Sequence, residues 1–252
     1  MTHAFGIDIG GSGIKGAPVD LDQGDLSAER HRIPTPQPAT PKAVAKTVRA
    51  VIDHFGSDAA DLPVGVTIPA VVQRGITRSA ANIDKRWIDA PAVEILSQLV
   101  ERPVTLLNDA DAAGLAEVYY GAAKGNQGLV LLTTLGTGIG TAIVHRGVLI
   151  PNSELGHLEI DGFDAERRAS AAARSNEDLS WPEYINRLQQ YYSHVESLLW
   201  PDLFVVGGGI SRNAAKFLPK LELRTPIVPA ELRNRAGIVG AALAAADPSI
   251  QP

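Results

Sequence analysis

Twice along this chain an apolar run ends in a glycine turn and resumes as a second apolar run: "GIDIGGSGIKGAPVD" from Gly6 and "LLTTLGTGIGTAIVH" from Leu131. Apolar runs this short, punctuated by glycine, read as paired strands rather than helices. The repetition points to two similar α/β halves facing each other, with a boundary near residue 109. Glycine turns between strands are common, so the echo taken alone also fits chance.

The first stretch carries Gly11-x-Gly13-x-x-Gly16, which matches the spacing of a dinucleotide-binding turn. That site needs its third glycine inside a helix, so that the pyrophosphate meets the helix N-terminus. Here Gly16 is followed by Ala17-Pro18-Val19-Asp20 and an Asp-Gln-Gly turn, which favours a short strand over a helix. No Gly-Lys-Ser/Thr ends the run, so a Walker A loop is excluded. What remains is a hairpin, either plain or with bare backbone N–H groups that cradle phosphate.

The other elements follow from periodicity and punctuation. Strands are expected at 4–9, "IKGAPVDL", "AERHRIPT", "LPVGVTIPA", "VVQRGITR" and "VTLLN", with helices from Pro41 to about Phe55 and from about Pro91 to Val100. A helix runs from Asp109 to a stop at Gly121, then come strands "GLVLLTTLG" and "IGTAIVHRG" and a polar, Arg-rich stretch. A helix over about Leu179–Leu199, strand "DLFVVGG", helix "ISRNAAKFL", strand "TPIVPA" and helix "AGIVGAALAAA" complete the chain.

Composition narrows the function. The 252 residues suit one large domain or two small ones sharing a cleft, and 45% hydrophobic residues supply a core. Only 5% are aromatic while alanine and glycine abound, so backbones should pack closely. A net charge of −5 argues against a general nucleic-acid or membrane-surface binder, although a local basic groove remains open. With no cysteine there are no disulfides and no thiolate metal sites, which fits the cytosol. No signal peptide or membrane-length apolar run is evident, and the expectation is a soluble protein.

Four polar or glycine-rich signals fall at strand ends. Asn108 and Asp109 end a strand and open a helix, where they suit a polar substrate and a general base, or simply cap the helix. "SELGHLEIDG" gathers Glu154, His157 and Glu159, able to bond sugar hydroxyls, to form a weak metal motif, or to line a solvated loop. Gly136, Thr137 and Gly138 can donate to phosphates, and Gly207 to Gly209 precede a helix whose N-terminus would favour an anion.

In order and spacing, "FGIDIGGSGIKG", "NDADAAGLAE", "TLGTGIG", "ELGH" and "VVGGGIS" resemble the sugar kinases of the repressor–ORF–kinase (ROK) family. Within it, "GSGIKGAPVD", "TRSAANIDKRW", "ELGHLEIDG", "DLSW" and "NRAGIVGAA" are most similar to the bacterial polyphosphate glucokinases. The resemblance runs from Phe5 to about Ala245. It implies an α/β chain with the actin-like ATPase (ribonuclease H-like) fold, two α/β domains around a central cleft. The domains would be 1–108, with a C-terminal helix segment 235–252 packing back on it, and 109–234.

The resemblance also implies that Asp109 is the catalytic base, taking the proton from the glucose 6-hydroxyl as it attacks a terminal phosphoryl group. Asn108, Asp109, Glu154, His157 and Glu166 would contact the sugar. Asp8, Gly10, Gly11, Ser12, Gly13, Lys15, Thr134, Gly136, Thr137, Gly138, Gly208 and Gly209 would hold the phosphate donor, Asp8 helping to position Mg²⁺, directly or through water. Phosphoryl transfer needs mainly positioning and charge stabilisation, so this division is chemically sensible.

Two departures matter. Many ROK proteins carry a cysteine-rich zinc motif after the Gly-His, and this chain has "LEIDGFDAERRAS" there, so no zinc is expected. Glu166 in that segment is preferred to Glu159 as the last sugar carboxylate. The usual Thr-Lys after the double glycine is Ser12-Gly13, with Lys15 following, and Lys15 serves either the donor or a solvated hairpin. A polyphosphate donor requires a row of cations, for which Lys15, Arg78, Lys85, Arg86, Arg167, Arg168, Arg174, Arg212 and Lys216 are candidates.

The expectation is thus a cytoplasmic, homodimeric glucokinase using polyphosphate or ATP, without nucleic-acid or membrane partners. The alternatives are an ATP-dependent kinase of another hexose such as mannose, or a non-catalytic sugar sensor of the ROK type. Sensors carry an N-terminal helix-turn-helix, whereas this chain reaches its first strand within five residues of Met1.

Overall fold

The computed structural model describes residues 2–81 and 83–250. Asn82, inside "TRSAANIDKRW", and the last two residues of the 235–252 segment lie outside the described residues. The chain divides into two compact units, one running to Ala116 and resuming at Arg235, the other spanning Glu117–Asn234.

The first unit is built on strands β1 (His3–Ile9), β2 (Ile14–Asp20), β3 (Asp25–Leu26), β4 (His31–Ile33), β5 (Val64–Ile68), a two-residue hairpin of β6 (Val72–Gln73) and β7 (Ile76–Thr77), and β8 (Val104–Asn108). β1 and β2 form an antiparallel hairpin, β3 and β4 both pair with β2, and β5 and β8 continue the sheet in parallel, giving the order β3-β2-β1-β5-β8. Gly11 to Gly16 therefore lie in a hairpin, and the helix a dinucleotide turn requires is absent there. "VVQRGITR" is two very short strands rather than one, because Arg74 and Gly75 take positive φ and turn the chain.

Helices α1 (Pro41–Asp53), α2 (Ala92–Val100) and α3 (Asp109–Tyr120) follow the expected positions closely. α1 starts as its sequence dictates: Thr40 caps the Ala43 N–H and Pro41 fills a position where no N–H is needed. Val44, Val48, Val51 and Ile52 of α1 and Leu96 of α2 share one buried cluster with Phe5, Ile7 and Ile9 of β1.

The second unit repeats the plan. β9 (Leu129–Leu135) and β10 (Ile139–His145) form a hairpin extended by β11 (Val148–Ile150). A small hairpin of β12 (Glu159–Ile160) and β13 (Phe163–Asp164) follows, and β14 (Leu203–Gly207) and β15 (Ile227–Pro229) add in parallel to give β11-β10-β9-β14-β15. The two sheet orders correspond strand for strand: three meandering strands, then two parallel additions on the same side.

The Arg-rich stretch is not irregular. It folds into α4 (Ala165–Ala169), capped by Asp164, and α5 (Ala171–Asn176), capped by Ser170, each too short to leave a periodic signature. α6 (Trp181–Leu199) opens on a full capping box between Ser180 and Glu183 and buries Tyr184, Leu188, Tyr191, Tyr192 and Val195 with Phe204 and Val206 of β14. "ISRNAAKFL" is not one helix. It is a 3₁₀ segment Gly209–Asn213, the single turn α7 (Ala214–Phe217) and another 3₁₀ turn, so no extended helix dipole points at Gly207–Gly209.

α8 (Ala236–Ala246) packs with the first unit. It lies so close that a Cβ on Gly6 would stand 1.9 Å from the Ile238 carbonyl oxygen, and one on Gly65 1.8 Å from that of Ala241. The alanine- and glycine-rich composition is used for this approach of helix to sheet.

Candidate functional site

In the first unit the candidate donor residues cluster at the β1–β2 turn. Register sets Asp8 of β1 beside Lys15 of β2 and Thr67 of β5. Lys15 Nζ donates to Asp8 Oδ2 at 2.9 Å and Thr67 Oγ1 donates to Oδ1 at 3.1 Å. Lys15 is therefore ion-paired with Asp8 rather than a solvated hairpin lysine. The turn is closed by the Gly10 N–H to the Gly13 carbonyl, 3.1 Å, and leaves Gly11 and Ser12 exposed.

Two residues that sequence reasoning missed brace this turn. Arg32 of β4 donates through Nη2 to the Ser12 carbonyl at 2.7 Å, and its guanidinium fills the space a Gly13 side chain would need. Buried Thr35 donates to the Gly10 carbonyl at 2.5 Å. Neither has a local sequence signal: β4 pairs with β2 across 15 to 19 residues, and Thr35 reaches Gly10 across 25.

Asn108 and Asp109 stand where β8 ends and α3 begins. Asn108 Oδ1 accepts from the N–H groups of Ala110 (2.8 Å) and Asp111 (3.2 Å), and Nδ2 donates to the Ala70 carbonyl at 3.2 Å. The helix-cap reading of Asn108 is thus realised. An amide nitrogen carries two hydrogens, so one donor remains for a ligand hydroxyl. Asp109 is exposed and accepts from the Ala110 N–H through Oδ1 at 2.9 Å.

In the second unit the Gly136–Thr137–Gly138 turn is closed by the Gly136 N–H to the Gly138 carbonyl, 3.0 Å. Glu166 braces it: Oε2 accepts from the Ile139 N–H at 3.1 Å and occupies the place of a Gly138 Cβ. Thr134, at the end of β9, lies in register with Gly207 of β14. Gly208, at φ +80°, presses on Leu135, whose carbonyl oxygen would lie 2.3 Å from a Cβ there, while Gly209 is exposed.

His157 is the hub of the carboxylates. Its Nδ1 lies 3.0 Å from Asp164 Oδ2 and its Nε2 3.9 Å from Glu154 Oε2. Asp164 Oδ1 also accepts the Glu166 N–H, at 3.1 Å. The structure thus brings Glu166 to His157 and Asp164, with ligand atoms within 4.8 Å of one another, and leaves Glu159 exposed on β12. The hydrogen bond to Asp164, helped by the charges of Glu166 and Glu154, raises the His157 pKa against the opposing effect of burial. Burial raises that of Glu154, with His157 pulling the other way.

The nine candidate cations do not share one environment. Lys15, Arg78 and Arg86 are ion-paired, with Asp8, Asp89 and Asp84. Arg168 lies over Phe163, 4.8 Å from its centroid, while Arg174 and Lys216 both lie over Trp181. Lys85, Arg167 and Arg212 are exposed.

Comparison with known proteins identifies the family. Residues 4–175 match the ROK family. Polyphosphate glucokinase of Mycobacterium tuberculosis is 54% identical over 97% of this chain and 91% of its own length. The crystal structure of the inorganic polyphosphate/ATP-glucomannokinase of Arthrobacter sp. strain KM superposes with a TM-score of 0.92 at 57% identity, covering 98% of this chain and 99% of that one. A ROK glucokinase from Streptomyces griseus, at 24% identity and TM-score 0.79 over 95% and 98% of the two chains, shares the fold. The architecture is that of the actin-like ATPases, an α/β fold. On sequence and fold alike, this chain belongs to the ROK family.

Proposed function

We propose that this protein is a glucokinase that transfers the terminal phosphoryl group of inorganic polyphosphate, and also of ATP, to the 6-hydroxyl of glucose. The observation that carries this is likeness above 50% identity, over nearly the full length, to proteins named for polyphosphate-dependent sugar phosphorylation.

In this reading Asp109 accepts the O6 proton as O6 bonds to the terminal phosphorus. The bridging P–O bond breaks and the donor leaves one phosphate shorter. The Ala110 N–H holds the carboxylate. Asn108 contributes its remaining amide hydrogen, and Glu154, His157 and Glu166 take the other sugar hydroxyls. The turns at Gly10–Gly13 and Gly136–Gly138, with Thr134, Gly208 and Gly209, receive the donor phosphates.

Asp8 fits a Mg²⁺ held through water, because each of its oxygens already accepts one protein hydrogen bond and keeps a lone pair. When bound, the metal neutralises charge on the donor phosphates. The cytoplasmic setting and the homodimer rest on the family resemblance. β11, an edge strand with Val148 and Ile150 about half exposed, offers a surface for self-association.

Replacing Asp109 by Asn should lower kcat by about 10²- to 10⁴-fold while glucose affinity, measured by calorimetry, stays within a few-fold. Undiminished turnover would remove Asp109 from its role. Glucose phosphorylation with polyphosphate and with ATP, each with and without Mg²⁺, tests the donors directly. Mannose belongs in the same assay, because the Arthrobacter relative is named a glucomannokinase.

A further inference from the structure

We infer that Arg174 and Lys216, sharing the Trp181 ring, form a subsite for the inner phosphates of a polyphosphate chain whose reacting end lies at the Gly136–Gly138 turn. The inference rests on the reading of that turn as a donor site. The Arg174 guanidinium carbon stands 4.2 Å from the Trp181 centroid and Lys216 Nζ stands 5.5 Å from it. Two like charges are thus less than about 10 Å apart, and neither has a carboxylate within ion-pair distance among the described residues.

Among the half-buried arginines of the described residues, Arg168 and Arg174 lie over aromatic rings. The half-buried Arg49, Arg102, Arg187 and Arg235 all donate to oxygen atoms. The Arg174 Nε is fully buried and has no acceptor. A guanidinium that no carboxylate neutralises, beside a second cation, favours an anion at its remaining N–H groups. The platform is rigid as well. Trp181 stacks on Phe217, with centroids 5.9 Å apart and an interplanar angle of 4°, and meets the edge of buried Tyr184. A cation held over a ring keeps its charge while losing little side-chain freedom when an anion arrives.

Arg174 hangs from an element that abuts the proposed phosphate turn, and Lys216 follows the loop that reaches the strand before it. The Ala172 N–H of α5 donates to the Gly136 carbonyl at 3.0 Å, and Arg174 follows on the next half-turn. Lys216 sits on α7, just beyond the Gly208 loop that presses on Leu135. A chain of phosphates leaving the turn is met by both. A free nucleotide ends in an uncharged base where the second cation would act, so the subsite favours polyphosphate over ATP.

The test uses R174Q, R174K, K216Q and the R174Q/K216Q double variant, with K220Q as a control for general surface charge. KM for long-chain polyphosphate should rise about five- to tenfold in R174Q and in K216Q and more in the double variant, with R174K intermediate. The KM for glucose and the KM for ATP, read in parallel, should move far less, and the salt dependence of polyphosphate KM should flatten. Equilibrium binding of fluorescently labelled polyphosphate gives the same ranking without turnover. If wild-type protein bound polyphosphate and lost it in the double variant yet phosphorylated no sugar, the functional reading would fail and the subsite would stand. A folded double variant that binds polyphosphate like wild type, or K220Q matching its loss, would overturn the subsite.

Discussion

One oxygen of the Asp164 carboxylate meets His157 Nδ1 and the other accepts the Glu166 N–H, so a single side chain sets two proposed sugar contacts. An ionised carboxylate only accepts, which makes Nδ1 the donor and leaves Nε2 directed toward Glu154. Because the pairing raises the His157 pKa in the folded protein, its stabilisation is complete below the unfolded value of about 6.5 and is lost as pH rises through the higher folded value. D164N should therefore destabilise more at pH 6 than at pH 8.5, as urea unfolding would reveal. The difference should stay below about 1 kcal/mol because the ring is half exposed. Equal losses at both pH values would reassign Asp164 to capping α4 alone. Glu154 has the same pH sense by a different cause: burial raises its pKa, so stability falls as pH rises and the buried carboxyl ionises. This cost is reasonable for a residue proposed to bind substrate.

At the scale of elements, the sequence was most legible where structure is local. The glycine hairpins, the Thr40–Pro41 start of α1 and the capping box of α6 are written within a few neighbouring residues, and the structure follows them. Legibility failed for α4 and α5, each under two turns long, and after Gly209, where the helical pattern breaks into short turns. It failed again for Arg32 and Thr35, whose roles depend on strand pairing across a loop. α8 shows how a compositional signal acquires its meaning from packing. A Cβ on Gly240 would fall 1.8 Å from the Ala112 carbonyl oxygen, a backbone atom that cannot swing aside. G240A should destabilise by about 3 kcal/mol despite the better helix propensity of alanine, and a thermal melt at or above that of wild type would refute the contact.

For the whole molecule, the chain crosses between its two units at Ala116–Glu117 and Asn234–Arg235. Within the second unit Glu117, fully buried, gathers both crossing segments. Its carboxylate accepts from Ala122 (2.8 Å), Glu231 (3.1 Å) and Leu232 (2.8 Å). A carboxylate satisfied by three backbone donors acts as a clasp. E117Q keeps the shape but turns one accepting oxygen into a donor facing N–H groups. It should lower the unfolding free energy by about 2–3 kcal/mol and so the urea midpoint, and an unchanged midpoint would show that the clasp carries no stability.

Local sequence encodes the strand–turn–strand units and the helices with strong caps, because each depends on neighbours within a turn or two, and it supplies the residue types able to bond sugar and phosphate. Which of those residues stand side by side depends on tertiary packing. It paired Lys15 with Asp8, chose Glu166 over Glu159 as the companion of His157, and laid Arg174 and Lys216 on one indole. Those choices arise from strand register and from packing between elements distant along the chain, which no local pattern can fix.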